Sequence, residues 1–228
     1  MSEMKKYEFT GETKVVLGVT LKRIRALVSF GAVVAGEVGG WIEGEKNLSQ
    51  VFGEAQVYGN ARVSGDAWVY GNAQVSGNAR VSGDARVSGD AWVSGNAQVS
   101  GNARVYGNAR VYGDAWVYGN AWVYGNARVY GDAWVSGDAR VSGDARVSGD
   151  ADFFLLGPIG SRRAFLTVHA DAALGIRFTT GCFSGSKYQL KESIQKTHGD
   201  NEHARHYRAV IDLALQLVKP YQKKAEAA

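Results

Sequence analysis

Residues 55–72 read Ala55-Gln56-Val57-Tyr58-Gly59-Asn60, Ala61-Arg62-Val63-Ser64-Gly65-Asp66, Ala67-Trp68-Val69-Tyr70-Gly71-Asn72, and the same phrase repeats for about a hundred residues without a slip. Seventeen valines stand six apart from Val51 to Val147, each followed by an aromatic or serine, Gly, then Asn or Asp, Ala, and Arg, Trp or Gln. The first hexad departs from this wording with Phe52 and Glu54, and the last runs out on Asp152. A period of six does not follow a helix, whose apolar face recurs near every 3.6 residues. It fits strands in which Ala(i−2) and Val(i) point one way and their neighbours point the other. Gly and Asn/Asp are expected to supply the bends, since both tolerate positive φ. A sheet that turns at every hexad is a solenoid.

Three hexads per triangular coil place residues 18 apart above one another. The run then makes about five and two-thirds coils, a stack about 27 Å tall. Only Val and Ala face inward. Around residues 51–152 lie two other parts. Residues 1–50 read as an N-terminal β cap, with strands at Tyr7–Thr10, Lys14–Leu17 and Thr20–Leu27, and with Gly39–Glu43 leading into the coil. A stacked coil exposes an apolar end and an unpaired edge, so something atypical must close it. Residues 153–228 read as a small α+β module. Its strands are expected at Phe153–Leu156, Arg163–Val168 and Gly175–Thr180. Ser186 opens a first helix through a capping box with Gln189, and Asp200 or Asn201 opens a second with Ala204, Tyr207, Ile211, Ala214 and Val218 on one face.

The hexad resembles the repeat of the hexapeptide-repeat, left-handed β-helix proteins, in which a small residue at i−2 alternates with an aliphatic at i. The resemblance implies the left-handed winding, which the period alone does not give. The fold expected is therefore mainly β: a left-handed parallel β-helix with a β cap and a C-terminal module. Many proteins of that family are trimeric acyltransferases that use a histidine on or near the coils as base. Here no histidine lies between Val51 and Asp152; His169, His198, His203 and His206 all follow the coil. Acyl transfer needs a base within hydrogen-bond reach of the acceptor. The lead-in Leu21–Glu43 and the segment Gly181–Arg208 are similar to parts of uncharacterised phage and prophage repeat proteins, which implies a mobile-element setting.

Charge and cysteine content narrow the classes. Lys and Arg exceed Asp and Glu by 26 to 22, and the excess belongs to residues 151–228, with eleven against seven. The coil carries eight against nine, a poor counterion-release surface for duplex DNA. No apolar run approaches the roughly 20 residues of a membrane span. The lone Cys182 suits a reducing compartment, and Met1-Ser2-Glu3-Met4-Lys5-Lys6 leads into no apolar signal core. The expected location is the cytoplasm of a bacterial host.

The coil's outer positions form columns. Tyr106, Tyr112, Tyr118, Tyr124 and Tyr130 girdle it, with Tyr106 over Tyr124 and Tyr112 over Tyr130. Trp116 stacks on Trp134, while Trp68, Arg86, Arg104, Trp122 and Arg140 share a column suited to Arg–aromatic contacts. With Arg128, these exposed aromatics and arginines are the candidate interaction surface. Stacked like side chains that merely stabilise neighbouring strands are the competing reading. Asn78 and Asn96, Asn102 and Asn120, and Asn108 and Asn126 are expected to form amide ladders. Asp114, Asp132 and Asp150 share an edge, where carboxylates repel unless solvated or bridged by a cation.

Outside the coil, Cys182, His198, His203 and His206 are residue types that bind zinc, in a spacing that matches no strong zinc signature. No metal and no cofactor is expected. Arg162, Arg163, Lys187, Lys191, Arg205 and Arg208 are candidate anion-binding residues. The leading functional expectation is a non-enzymatic scaffold that self-associates as a dimer or trimer and presents its C-terminal module to a protein partner. A binding protein that sequesters a nucleotide or other small anionic ligand, such as a host-defence signal, is the alternative. An acyltransferase-like enzyme without the usual coil histidine is the third.

Overall fold

The computed structural model describes residues 5–50, 53–149 and 152–221. Each hexad contributes a two-residue strand made of the variable residue and the valine after it, from β4 (Gln56–Val57) to β19 (Arg146–Val147). Each coil strand as far as Arg128–Val129 pairs in parallel with the one eighteen residues on, Arg62 with Arg80 and Trp92 with Arg110, for example. Three parallel sheets result, one per face of the coil. From Ala61 to Val147 the inward alanines and valines are wholly buried. Toward the next coil, Arg62 N–H donates to Ala79 O at 2.9 Å and Ser64 N–H to Val81 O at 3.0 Å. At the C-terminal side the last coil thus presents the N–H groups of Arg140 and Ser142 to the module that follows.

The bends differ from the sequence expectation in one respect. Glycine alone takes positive φ; among the described residues only Leu17 and Arg163 do so without being glycine. Gly77 has φ +64°, and Ala79 N–H reaches Ser76 O at 3.2 Å. Positive φ at the first central position only is the signature of a type II′ turn. The Asn and Asp residues are thereby released for side-chain bonding along the stack: Asn78 Nδ2 donates to Asn96 Oδ1 at 3.2 Å, and Asn96 in turn to Asp114 at 2.9 Å.

At the N-terminal end, β1 (Tyr7–Val16) and β2 (Val19–Ala26) form an antiparallel hairpin, and β3 (Val38–Ile42) lies antiparallel to β2. The two pieces expected at Tyr7–Thr10 and Lys14–Leu17 are one strand, kept continuous by a bulge between Phe9 and Thr13 around Gly11. β3 then pairs in parallel with Arg62–Val63, so the cap and one coil face are a single sheet. Ile42 and Leu48 are buried in the coil's core, and Leu48 bridges in parallel to Val69. Winding thus starts within residues 1–50. Asn47 makes the first corner: fully buried, it donates Nδ2 to the carbonyls of Gly65 and Ala67, both at 2.9 Å.

At the other end, β20 (Phe153–Ile159), β21 (Ala164–Asp171), β22 (Gly175–Thr180) and β23 (Phe183–Gly185) form an antiparallel sheet in that order. Helices α1 (Lys187–His198) and α2 (Glu202–Leu217) pack on it. Ser186 and Asn201 are the N-caps. β21 alternates in the way strands do. Leu166 and Val168 enter a core with Phe178, Leu190, Ile194, Tyr207 and Ile211, while Thr167, His169 and Asp171 meet the last coil. Phe153 and Leu155 pack against the coil's interior. The module closes the solenoid.

Candidate functional site

A rigid ladder holds outward side chains in fixed columns about 4.8 Å apart. Tyr106 lies over Tyr124 with ring centroids 5.1 Å apart and planes 3° from parallel, and Tyr112 lies over Tyr130 at 5.2 Å. Trp116 and Trp134 stack at 5.2 Å and 7°, with Tyr118 edge-on to Trp134. Trp122 is sandwiched by the guanidinium groups of Arg104 at 5.0 Å and Arg140 at 5.2 Å. These columns are not equivalent. The tyrosines and Trp122 are half-buried by their neighbours, and Arg140 also donates Nη1 to Gly181 O of the C-terminal module at 2.9 Å. Trp116 and Trp134 remain 39 % and 53 % exposed. Burial raises the pKa of the Tyr106 and Tyr130 phenols, so both are neutral hydrogen-bonding groups near pH 7.

On a second face Trp92, Ser94, Arg110, Tyr112 and Arg128 line a cavity of about 220 Å³. The Arg110 guanidinium lies 5.7 Å from the Trp92 ring and is paired across strands with Arg128. An indole face beside two arginines can stack a flat group and hold an anion.

The six basic residues expected to bind an anion in the C-terminal module lie in different local settings. Arg162 lines a cavity of about 380 Å³ with Thr180, Cys182, Ser193, Thr197 and His198. Arg208 is engaged by Asp200 at 2.9 Å, Gln195 at 2.7 Å and Gly199 O, and so ties α2 to the end of α1. Arg163 sits in the β20–β21 turn with φ +49°, Lys187 lies 5.1 Å from the Tyr188 ring, and Lys191 and Arg205 are exposed on α1 and α2. The ring of His198 contacts those of His203 and Tyr207, and His206 lies 3.6 Å from Glu202. Among the described residues no group of three or more His, Cys, Asp or Glu could hold a metal ion. Asp150 lies outside the described residues.

Sequence reading missed a cluster at the N-terminal pole. Lys14, Arg23 and Arg62 surround Trp41 there, with Lys14 Nζ 3.8 Å from the indole ring, and Arg80 follows Arg62 on the next strand. Their separation in the chain hides them; only the pairing of hairpin, β3 and coil brings them onto one sheet.

The coils match the model of the YdcK beta solenoid repeat family over residues 55–71, 73–89, 79–95, 85–101, 97–109, 103–119, 109–125, 121–137 and 139–151. This chain is a β-solenoid repeat protein. The matched windows stay within the solenoid and leave out both its N-terminal hairpin and its C-terminal module. No curated protein matches the chain. No helix among the described residues is long and apolar enough to cross a membrane.

Proposed function

We propose that this protein is a non-enzymatic scaffold whose solenoid self-associates through its aromatic columns and presents its C-terminal module to a protein partner. The observation that carries this reading is the Trp116–Trp134 pair, two parallel indoles left substantially exposed on a rigid sheet. Aromatic rings held in fixed positions lose little conformational entropy on association. Burying them adds roughly 25 cal/mol for each Å² of apolar surface removed from water. The columns on all three faces suit a dimer or trimer, and a coil with no histidine lacks the base that acyl transfer needs. The resemblance of the flanking segments to phage and prophage proteins supports a bacterial cytoplasm, in an infected or lysogenic cell, as the setting.

Sedimentation and light scattering test this reading. The unaltered chain should run as a dimer or trimer, and Trp116→Ser with Trp134→Ser, or Tyr112→Ser with Tyr124→Ser, should shift it toward monomer. A monomeric wild type at micromolar concentration overturns self-association. A second reading, capture of a nucleotide or similar anion, is favoured by the Trp92–Arg110–Arg128 face. Thermal-shift screening with cyclic nucleotides and Arg128→Gln tests it.

A further inference from the structure

The sheet shared by the cap and one coil face carries an outward row in which Arg23 pairs with Trp41, Trp41 with Arg62, and Arg62 with Arg80. Neighbours in such a row stand about 4.8 Å apart. Lys14, on the other strand of the hairpin, places its ammonium 3.8 Å from the Trp41 ring, and the Arg23 guanidinium lies 5.0 Å from it. Among the described residues none of these four cations has a carboxylate within ion-pair distance or a side-chain hydrogen bond. Trp41 is 8 % exposed, and its Nε1–H is buried without an acceptor. The Nε–H groups of Arg23 and Arg62 are in the same state. Burial and the charges of Arg62 and Arg23 together lower the Lys14 pKa. Converging like charges are costly alone, and an anion beside Arg62 and Arg80 would relieve the repulsion.

Beside this row the hairpin overhangs the coil and encloses a cavity of about 280 Å³. Leu17, Val19 and Leu21 form its apolar roof, and Arg62, Arg80 and Gln98 lie across its floor. The roof's outermost residue is strained as well as apolar. Leu17 has φ +51° in a two-residue turn with Gly18 at φ +79°, and it is 93 % exposed. That turn favours Asn or Gly at this position, and a leucine in open solvent contributes nothing to the core.

We propose that the N-terminal hairpin and the adjoining coil face bind a small organic phosphate. Its phosphoryl oxygens would meet the guanidinium groups of Arg62 and Arg80, with Arg23 and Lys14 adding charge, and its apolar group would lie beneath Leu17, Val19 and Leu21. A phosphomonoester carries nearly two charges and three strong acceptor oxygens. A monocarboxylate, with one charge, would leave most of the repulsion in place. Guanidinium also matches phosphate geometry through two parallel bonds.

Isothermal titration calorimetry of the full chain at low ionic strength, with phenyl phosphate, inorganic phosphate and benzyl alcohol as probes, tests the site. Phenyl phosphate should bind once per chain and at least tenfold tighter than inorganic phosphate, and benzyl alcohol should not bind. Arg80→Gln, a change at an exposed side chain, should weaken phenyl phosphate at least tenfold. Leu17→Gly should weaken it severalfold while raising the melting temperature, because glycine relieves the turn; a merely structural role would not separate those readouts. Lys196→Gln, an exposed change on α1 of the C-terminal module, should bind as wild type. No binding of phenyl phosphate by folded protein overturns the site, as does unchanged affinity in Arg80→Gln and Leu17→Gly. Equal affinity for inorganic and phenyl phosphate overturns the proposed ligand class.

Discussion

The backbone N–H of Ser142 faces Nε2 of His169 at 3.5 Å, and Nδ1 of the same ring lies 3.1 Å from the carbonyl of Ala170. The solenoid's C-terminal edge presents the N–H groups of Arg140 and Ser142, and at these two positions its cap brings acceptors. Thr167 does so through Oγ1, which takes the Arg140 N–H at 3.0 Å. His169 can do so only as a neutral ring with its proton on Nδ1. Burial pushes its pKa down to about 4, outweighing the Ala170 carbonyl and the Asp171 carboxylate, while the Arg177 guanidinium adds to the lowering.

A pH dependence follows from this ring. Above the unfolded value of about 6.5 both states are neutral and the ring contributes no slope. As pH falls from there toward 4, the unfolded chain takes up a proton that the folded one refuses, and stability drops by on the order of 3 kcal/mol. Asp171 acts lower down. Burial raises its pKa, yet the Arg177 hydrogen bond and the Leu174 and Ala173 N–H groups hold it below 3.8. Its contribution is lost only as pH falls past that range. Calorimetric unfolding between pH 7 and 4 should show the loss in the wild type and little slope in His169→Gln. Parallel curves for the two proteins would refute the assignment.

Gly59 and Gly77 separate two reasons for glycine at every bend. Their φ angles are +65° and +64°. A Cβ on Gly59 would stand 3.5 Å from Gly77, whereas one on Gly77 would stand 3.0 Å from the Gly95 carbonyl oxygen and 3.1 Å from its nitrogen. Gly59→Ala should therefore cost only the left-handed backbone, about 1–2 kcal/mol. Gly77→Ala should cost more, because the next coil's backbone must move. Urea denaturation midpoints compare the two directly, and an equal loss would mean that stacking distance is irrelevant.

The amide ladders end on carboxylates. Asn108 donates to Asn126 and Asn126 to Asp144, both at 3.3 Å, in the same direction along the stack. Asn126→Asp removes the donor to Asp144 and sets two like charges side by side. A loss of about 0.5–1 kcal/mol is expected, recoverable with salt because the site is exposed. Melting temperatures in 20 mM and 500 mM salt should differ more for this variant than for the wild type.

The coil was legible because one period fixes its fold: with six residues per bend, Ala61 and Val63 can only face inward and Arg62 outward. The columns followed from arithmetic on that period. The helices were legible through local signals, Ser186 with Gln189 and the apolar spacing from Ala204 to Val218. Other features depend on contacts between distant segments. The Arg23–Trp41–Arg62 row arises where an antiparallel cap joins a parallel coil, and no spacing encodes it. The role of His169 was hidden too, since an alternating strand reads alike whether its polar side meets water or the end of a solenoid. The six basic residues of the C-terminal module are scattered in sequence, and they lie on a turn and two helices.

Arg140 joins the solenoid to its cap and should be more costly to lose than its column neighbour Arg104. Both guanidinium groups flank Trp122, but Arg140 alone also reaches Gly181 O, at 2.9 Å. A cation–π contact at a partly exposed site is worth about 0.5–1 kcal/mol, and a charged hydrogen bond adds about 1.5–3 kcal/mol. Arg104→Ala should thus lose under 1 kcal/mol and Arg140→Ala about 2–3 kcal/mol. The larger loss should be local, because the Gly181 turn between β22 and β23 would be untied while the coil's own ladder stays intact. Hydrogen exchange should therefore accelerate across residues 164–185 in Arg140→Ala and remain slow at the buried valines of the coil. Uniform acceleration along the whole chain would mean that Arg140 stabilises the solenoid itself rather than its junction with the module.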